Sequence, residues 1–268
     1  MIDENILKMF DSINYRDLAL SNTEKYQNNL PFPHIVLDNF LPKELAEKIA
    51  DAFPTAKSNP EDFKFHGNKN VQRFLFENVN SFNANLRLFT AAISSRSFLL
   101  FLETLTGLKH LIPDPYFLGG GAMATGNGGY LNTHIDFNWN QKIQAWRACN
   151  VLFYFSKEWL AEYNGNLVLY SEDGKEPIKE IEPLFNRVVI FNTTSKSYHG
   201  QPKKLECPEG VFRNLFSAFY YGSTKAEAVS DVPHYTNYAD SNLKDQKAEF
   251  VSSPYADLIS EQYLNGKV

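Results

Sequence analysis

The spacing of hydrophobic positions along this chain changes near residue 113. Before that point, apolar residues recur at intervals of three and four, which predicts helices. The stretch "PFPHIVLDNFLPKELAEKIADAF" predicts a short strand, His34–Leu37, followed by a helix with Pro42 at its first position. After a polar connection over residues 54–80, a second helical region spans residues 82–107.

After residue 113, short apolar runs alternate with glycine- and proline-containing turns, which predicts strands. Strands this short and this regularly spaced favour a sandwich or barrel over alternating strand–helix units. The predicted strands are Tyr116–Leu118, Gly129–Ile135, Ala145–Phe155, Asn166–Tyr170, Ile178–Ile181, Arg187–Phe191 and Val211–Tyr221.

Helices followed by strands predict an α+β fold, in which N-terminal helices buttress a double-sheet jelly roll. We expect one domain with three parts. Residues 1–112 form a helical lead-in, residues 113–222 form the jelly-roll core, and residues 223–268 form a tail or lid. Within the tail, only residues 255–264 have a helical pattern.

Composition and charge narrow the functional classes. The 268 residues carry a net charge of −5, which argues against a nucleic-acid-binding surface because such a surface needs a dense basic face. The two cysteines are too few for a disulfide framework or a cysteine zinc site. The N-terminus does not read as a signal peptide, and no apolar run is long enough for a transmembrane helix. The expectation is therefore a soluble cytoplasmic protein without nucleic-acid or membrane partners, and the oligomeric state is not readable.

The six histidines fall into two groups. Four lie in contexts typical of structural or surface histidines, namely His34, His66, His110 and His234. The other two, His134 and His199, lie at strand ends in the β-rich half.

His134 and Asp136 are two positions apart in a predicted strand, so their side chains share one face. One interpretation is local: Asp136 forms a turn and His134 caps the strand. The other is a metal site, to which His199 adds a second imidazole. Two histidines and one carboxylate on one side of an ion are the ligand set of non-haem Fe(II) oxygenases.

Arg213 opens the apolar strand "RNLFSAFYY". A guanidinium that enters an apolar interior is costly unless an anion meets it. Either Arg213 reaches solvent or a neighbouring acid, or it binds a small carboxylate.

In combination, five segments resemble the prolyl-4-hydroxylase-like branch of the Fe(II)/2-oxoglutarate-dependent oxygenases, over roughly residues 113–222. They are "GGYLNTHID", "RACNVLFYFSKEW", "YNGNLVLY", "PLFNRVVIFNTTSKSYHGQP" and "RNLFSAFYY". The resemblance implies a double-stranded β-helix that binds Fe(II) through His134, Asp136 and His199, with 2-oxoglutarate and O2 as co-substrates. One departure is that many prolyl hydroxylases have a lysine where this chain has Arg213, so a close relation to the collagen-type enzymes is not implied.

The resemblance also implies roles for individual residues. Arg213 binds the distal carboxylate of 2-oxoglutarate, and Tyr130 is either a hydroxyl partner of that carboxylate or an ordinary strand aromatic. The presence of Asp136 favours hydroxylation over halogenation, because related halogenases have a small residue there. Four further residues are candidates for the substrate pocket: Arg147, Asn150, Asn138 and Trp139. For Arg147 the alternative is a surface charge, and for Trp139 it is packing.

The sequence therefore predicts a dioxygenase that hydroxylates an unactivated C–H bond and converts 2-oxoglutarate to succinate. Its substrate is a small molecule (amino acid, sugar or other metabolite) or a prolyl residue, and desaturation or ring closure stays open as the outcome. The alternative is a non-catalytic jelly-roll module that binds a sugar or a protein.

Overall fold

The computed structural model describes residues 2–54, 64–65, 73–223 and 233–239. Within these residues the helices, with three short strands among them, precede most of a double layer of antiparallel strands. The helices are α1 (Asn5–Lys8), α2 (Ile13–Asn28), α3 (Lys43–Asp51), α4 (Ala84–Ile93) and α5 (Arg96–Thr106). The strands are β1 (His34–Leu37), β2 (Lys64–Phe65), β3 (Arg73–Phe76), β4 (Ile112–Pro113), β5 (Gly121–Thr125), β6 (Leu131–Ile135), β7 (Trp139–Asn140), β8 (Ala145–Tyr154), β9 (Leu167–Tyr170), β10 (Pro177–Ile181), β11 (Val188–Asn192), β12 (His199–Gln201), β13 (Arg213–Gly222) and β14 (Asn237–Tyr238).

The larger sheet is the platform of the fold. Its strands lie in the order β1-β11-β8-β13-β5-β3-β2, while β4 pairs with β13 and β7 with β8. The two long strands β8 and β13 are almost fully buried because helices cover one face and the smaller sheet covers the other. They consequently read as nearly continuous apolar runs rather than as an alternating pattern.

The smaller sheet has the order β10-β9-β12-β6-β14. Its inner residues, including Leu167 and Leu169, pack against Leu152 and Leu215 of the larger sheet. Two antiparallel sheets that face each other in this way confirm the predicted jelly-roll fold, although they do not close into a barrel. The space between them is where the candidate site lies.

The helices cover the outer face of the larger sheet with an aromatic core. Phe89 of α4 packs edge-on against Phe153 of β8 and Phe216 of β13, with ring centroids 5.0 and 5.2 Å apart. Phe98 of α5 lies 6.0 Å from Tyr220, again centroid to centroid. Aromatic pairs in edge-on contact bury a large apolar area, so this layer fixes the platform from behind.

Two predicted helical features need correction, and one helix lies in a stretch with only weak helical periodicity. The helical region over residues 82–107 is two helices, α4 and α5, whose axes meet at 48°. The break lies at Ser95, whose side chain caps α5 by accepting a hydrogen bond from the N–H of Phe98. Pro42 is the residue before α3 rather than its first helical position. The weakly periodic first 30 residues contain the 16-residue helix α2.

The strand predicted at Tyr116–Leu118 is wrong. Asp114 accepts hydrogen bonds from the backbone N–H groups of Tyr116 and Leu118, so this stretch is a turn. The glycine-rich segment that follows contains the buried strand β5, which pairs with both β13 and β3. Strand β3 itself lies in what the pattern predicts to be a polar connection.

Among the described residues, no single helix has the length and hydropathy needed to span a membrane, and α4 and α5 meet that test only as a bent pair. The helical pattern at residues 255–264 and the histidine at position 66 lie outside the described residues.

Candidate active site

His134 and His199 lie opposite each other on two antiparallel strands of the smaller sheet, β6 and β12. Directly paired residues project to the same face of a sheet, and the two rings are 4.5 Å apart between centroids. Asp136 follows β6 by one residue and lies on the same face as His134. The structure thus brings the three predicted ligands together, with one ligand atom of each within 4.8 Å of the others.

The hydrogen bonds of the two histidines leave their other ring nitrogens available. Nδ1 of His134 lies 2.7 Å from the carbonyl oxygen of Asn132, and Nδ1 of His199 lies 2.9 Å from that of Ser197. A carbonyl oxygen only accepts, so each Nδ1 carries the proton and each Nε2 presents a lone pair. Metal-bound histidines are commonly oriented in this way, with one ring N–H bound to a backbone carbonyl and the other nitrogen directed at the metal.

The two Nε2 atoms face the Asp136 carboxylate, at 3.6 Å from Oδ1 for His134 and 3.4 Å from Oδ2 for His199. Two imidazole nitrogens and a carboxylate that converge on one point are a suitable ligand set for a divalent metal. Burial lowers the pKa of His199 to about 4, against the opposing effect of Asp136, so the ring is neutral at physiological pH. Burial raises the pKa of Asp136, but the guanidinium of Arg147 outweighs this effect and brings the pKa well below its usual range.

Arg213 lines the same cavity as the triad and is 5 % exposed. Its Nε donates to the carbonyl oxygen of Gly165 at 2.8 Å, and its Nη2 donates to the hydroxyl oxygen of Tyr154 at 3.4 Å. No ion pair to Arg213 is found within the described parts of the chain. A buried guanidinium without a carboxylate partner favours the second sequence interpretation, a site for an anion.

Tyr154 is a site residue that the sequence interpretation missed. Tyr130 lines the cavity, whereas the tyrosine hydroxyl that contacts Arg213 belongs to Tyr154, which is fully buried and not among the cavity-lining residues. A signal was available, because Tyr154 is four positions from Asn150 on one strand and therefore shares its face.

The four candidate pocket residues have different surroundings. Arg147 and Asn150 are buried and line the cavity, so Arg147 is not a surface charge. Asn138 is also buried, but its side chain binds the segment 233–239 rather than lining the cavity. Its Oδ1 accepts a hydrogen bond from the backbone N–H of His234 at 2.8 Å. Trp139 packs edge-on against Trp146 at 4.9 Å between centroids and is not among the cavity-lining residues.

Strand β14 completes the site from the C-terminal side. It pairs with β6 so that Tyr238 lies opposite His134, and the two rings are 5.7 Å apart between centroids. No sequence signal pointed to this strand, because it is only two residues long and lies in a polar segment.

Comparison with known proteins agrees with this geometry. Residues 120–221 match the family described as the 2OG-Fe(II) oxygenase superfamily. No curated protein matches the chain.

Among solved structures, a prolyl hydroxylase from Trichoplax adhaerens, in complex with a hypoxia inducible factor oxygen degradation domain peptide fragment, is similar over 78% of this chain and 90% of its own. The TM-score is 0.50 at 15% identity, which supports the fold. A prolyl-4-hydroxylase from Pseudomonas putida is similar over 76% of this chain and 98% of its own, with a TM-score of 0.49 at 16% identity. The family match covers nearly all of β5 through β13, the strands that carry the triad and Arg213, so this part of the chain is similar to the 2OG-Fe(II) oxygenase superfamily.

Proposed function

We propose that this protein is a hydroxylase that binds Fe(II) through His134, Asp136 and His199 and binds 2-oxoglutarate between that centre and Arg213. The observation that carries the proposal is the shared cavity, which has three converging metal-ligand atoms and a buried guanidinium without an ion-pair partner among the described residues. A dicarboxylate that chelates the metal at one end needs a cation at the other.

When bound, Fe(II) and 2-oxoglutarate supply the oxidising chemistry, in which 2-oxoglutarate and O2 become succinate and CO2 while the substrate gains one oxygen atom. The protein contributes position and exclusion of water. Arg213 and the hydroxyl of Tyr154 orient the distal carboxylate, while Leu152 and Leu215 make the intervening wall apolar.

The charge of the cavity supports a neutral or anionic substrate. Asp136, Arg147 and Arg213 are the formally charged residues among those that line it. With a divalent cation and doubly charged 2-oxoglutarate added, the lining carries a net charge of about +1, which disfavours a polycation. Uncharged or acidic metabolites and prolyl peptides are the classes that this charge favours.

The intact triad favours the enzyme over the non-catalytic binding module. The test is a succinate-release assay over neutral and acidic metabolites, proline-containing peptides and a polycationic amino sugar. The mass of each product is measured: hydroxylation adds one oxygen, whereas desaturation or ring closure removes two hydrogens.

His134→Ala should abolish succinate release, and the matched control is His110→Ala, which changes an exposed histidine. Full activity in His134→Ala would refute the assignment of the ligands. Preferential turnover of the polycation would refute the assignment of the substrate class.

A further inference from the structure

A bulge in β8 changes which side chains face the cavity. Opposite β13, Asn150 pairs with Phe219, Cys149 with Tyr220 and Arg147 with Tyr221, so Ala148 is left without a partner on β13. Such an extra residue reverses the alternation of side chains beyond it. In a regular strand Arg147 and Asn150, three positions apart, would point to opposite faces. Because of the bulge, Arg147 and Asn150 both line the cavity.

Both side chains act on the same carboxylate oxygen. Nδ2 of Asn150 donates to Oδ2 of Asp136 at 2.7 Å, and Nη2 of Arg147 lies 3.1 Å from that same atom. Nε of Arg147 also donates to Oδ1 of Asn150 at 2.9 Å. This last bond fixes the Asn150 amide with its NH2 group towards Asp136, so the three residues form one directional network.

The other oxygen of Asp136 has different surroundings. Oδ1 faces Nε2 of His134 at 3.6 Å, and the proton of that imidazole is on the opposite nitrogen. Oδ2 also lies 3.4 Å from Nε2 of His199, but it is already occupied by the two donors of Asn150 and Arg147, whereas Oδ1 faces the lone pair of His134.

The guanidinium of Arg147 has little freedom to move. It is 2 % exposed and lies over the ring of Phe219 at 3.4 Å and that of Phe137 at 4.6 Å, measured to the centroids. Stacking between two aromatic rings holds the planar group in one orientation, which a lysine could not reproduce.

We infer that Arg147 and Asn150 are positioning residues that reserve Oδ2 of Asp136 for hydrogen bonds and leave Oδ1 as the single metal-binding oxygen. One-oxygen coordination leaves one more position of the metal open than binding through both oxygens. The inference rests on the proposed metal site and adds to it a role for two residues that do not touch the metal.

The test uses Co(II), whose visible absorption reports its coordination. Asn150→Ala and Arg147→Met should each weaken Co(II) binding by about 10–100-fold, the usual cost of losing a hydrogen bond to a ligand. They should also change the absorption of bound Co(II), because Oδ2 loses one of its two donors and can approach the metal. Arg147→Lys, which keeps the charge but loses the planar fork, should change the absorption as well.

The control is Asn186→Ala, which removes another buried asparagine. Asn186 accepts from the N–H of Leu41 at 2.9 Å and donates to its carbonyl oxygen at 2.7 Å. This variant should unfold at a lower temperature but bind Co(II) with the affinity and absorption of the wild type.

The outcomes separate two failures. If the wild type takes up no Co(II), the metal site is wrong and this inference falls with it. If the wild type and folded Asn150→Ala bind Co(II) with the same affinity and absorption, only the inference is overturned. Should Arg147→Met fail to fold, Arg147→Lys and Asn150→Ala decide in the same way.

Discussion

The imidazoles of His134 and His199 face each other across paired strands, with ring centroids 4.5 Å apart. Each ring is held by a backbone carbonyl two residues before it in sequence. The two histidines therefore have equivalent local geometry although they are far apart along the chain. A metal ion that binds between them joins two strands that a hydrogen-bonded ladder already aligns.

Metal binding should raise the thermal stability of the folded protein. A ligand present at 100 times its dissociation constant stabilises by about 2.7 kcal/mol, which for a chain of this size is a rise in Tm of roughly 5–10 °C. Calorimetry with and without Co(II) measures the shift. It should disappear in His199→Ala and persist in His110→Ala, and an equal shift in both variants would contradict the site.

Removal of the Arg213 guanidinium should weaken the binding of 2-oxoglutarate without changing the affinity for the metal. Arg213→Gln loses charge-assisted hydrogen bonds worth about 1.5–3 kcal/mol, so KM for 2-oxoglutarate should rise by about 10–100-fold. Tyr154→Phe removes one hydroxyl that accepts a long, 3.4 Å hydrogen bond from Arg213, so it should raise KM by less than about 10-fold. Kinetics at saturating metal measure both values, and an unchanged KM in Arg213→Gln would refute its role.

Gly165 should be necessary for the position of Arg213. Its φ of +92° disfavours a side chain, and an added Cβ would lie 2.9 Å from Leu205 and 3.0 Å from Cδ of Arg213. Gly165→Ala should therefore raise the KM for 2-oxoglutarate. Gly210→Ala is the matched control, because Gly210 has a φ of +81° but open space around it. Both variants should lose about 1–2 kcal/mol of folding stability, but only Gly165→Ala should change KM.

Asn138 should act on the C-terminal segment rather than on the metal. Asn138→Ala removes the bond from the backbone N–H of His234, worth about 1 kcal/mol, so amide exchange in residues 233–239 should accelerate by about 5-fold. Hydrogen exchange with mass spectrometry measures this rate. Unchanged exchange together with a loss of Co(II) affinity would show instead that Asn138 supports the metal centre.

The ion pair between Asp38 and Arg187 should make a small part of the stability pH-dependent. The hydrogen bond from Arg187 lowers the pKa of Asp38 below 3.8, so its stabilisation is present above that value and is lost as the pH falls through the lowered pKa. Because the Asp38 side chain is 55% exposed, Asp38→Asn should cost at most about 1 kcal/mol at neutral pH. Urea unfolding of both proteins should show this difference at neutral pH and none in strong acid. A double-mutant cycle with Arg187→Gln provides the control.

The sequence predicted the parts of the site that depend on local spacing. The two-residue period of a strand was enough to put His134 and Asp136 on one face, and the cost of a buried cation drew attention to Arg213. The register that brings His199 opposite His134 depends on pairing between distant strands, and residue spacing does not encode it.

Two local devices account for what the sequence did not reveal. The bulge at Ala148 breaks the alternation of β8, so the orientation of Arg147 could not be read from its position in the strand. The turn at Asp114 replaced a predicted strand because a side chain satisfies backbone groups that a ladder would otherwise pair. The turn at Asp114 could have been predicted, since an aspartate followed by a proline is a turn signal.

The pairing of β6 with β12 and β14 also has a consequence for the order of folding. Each of these ladders joins residues more than 60 positions apart, and such contacts form late because the chain must first close a long loop. The three metal-ligand atoms converge only after that closure. We therefore expect metal to bind the folded chain and to slow its unfolding, with little effect on the rate at which it folds.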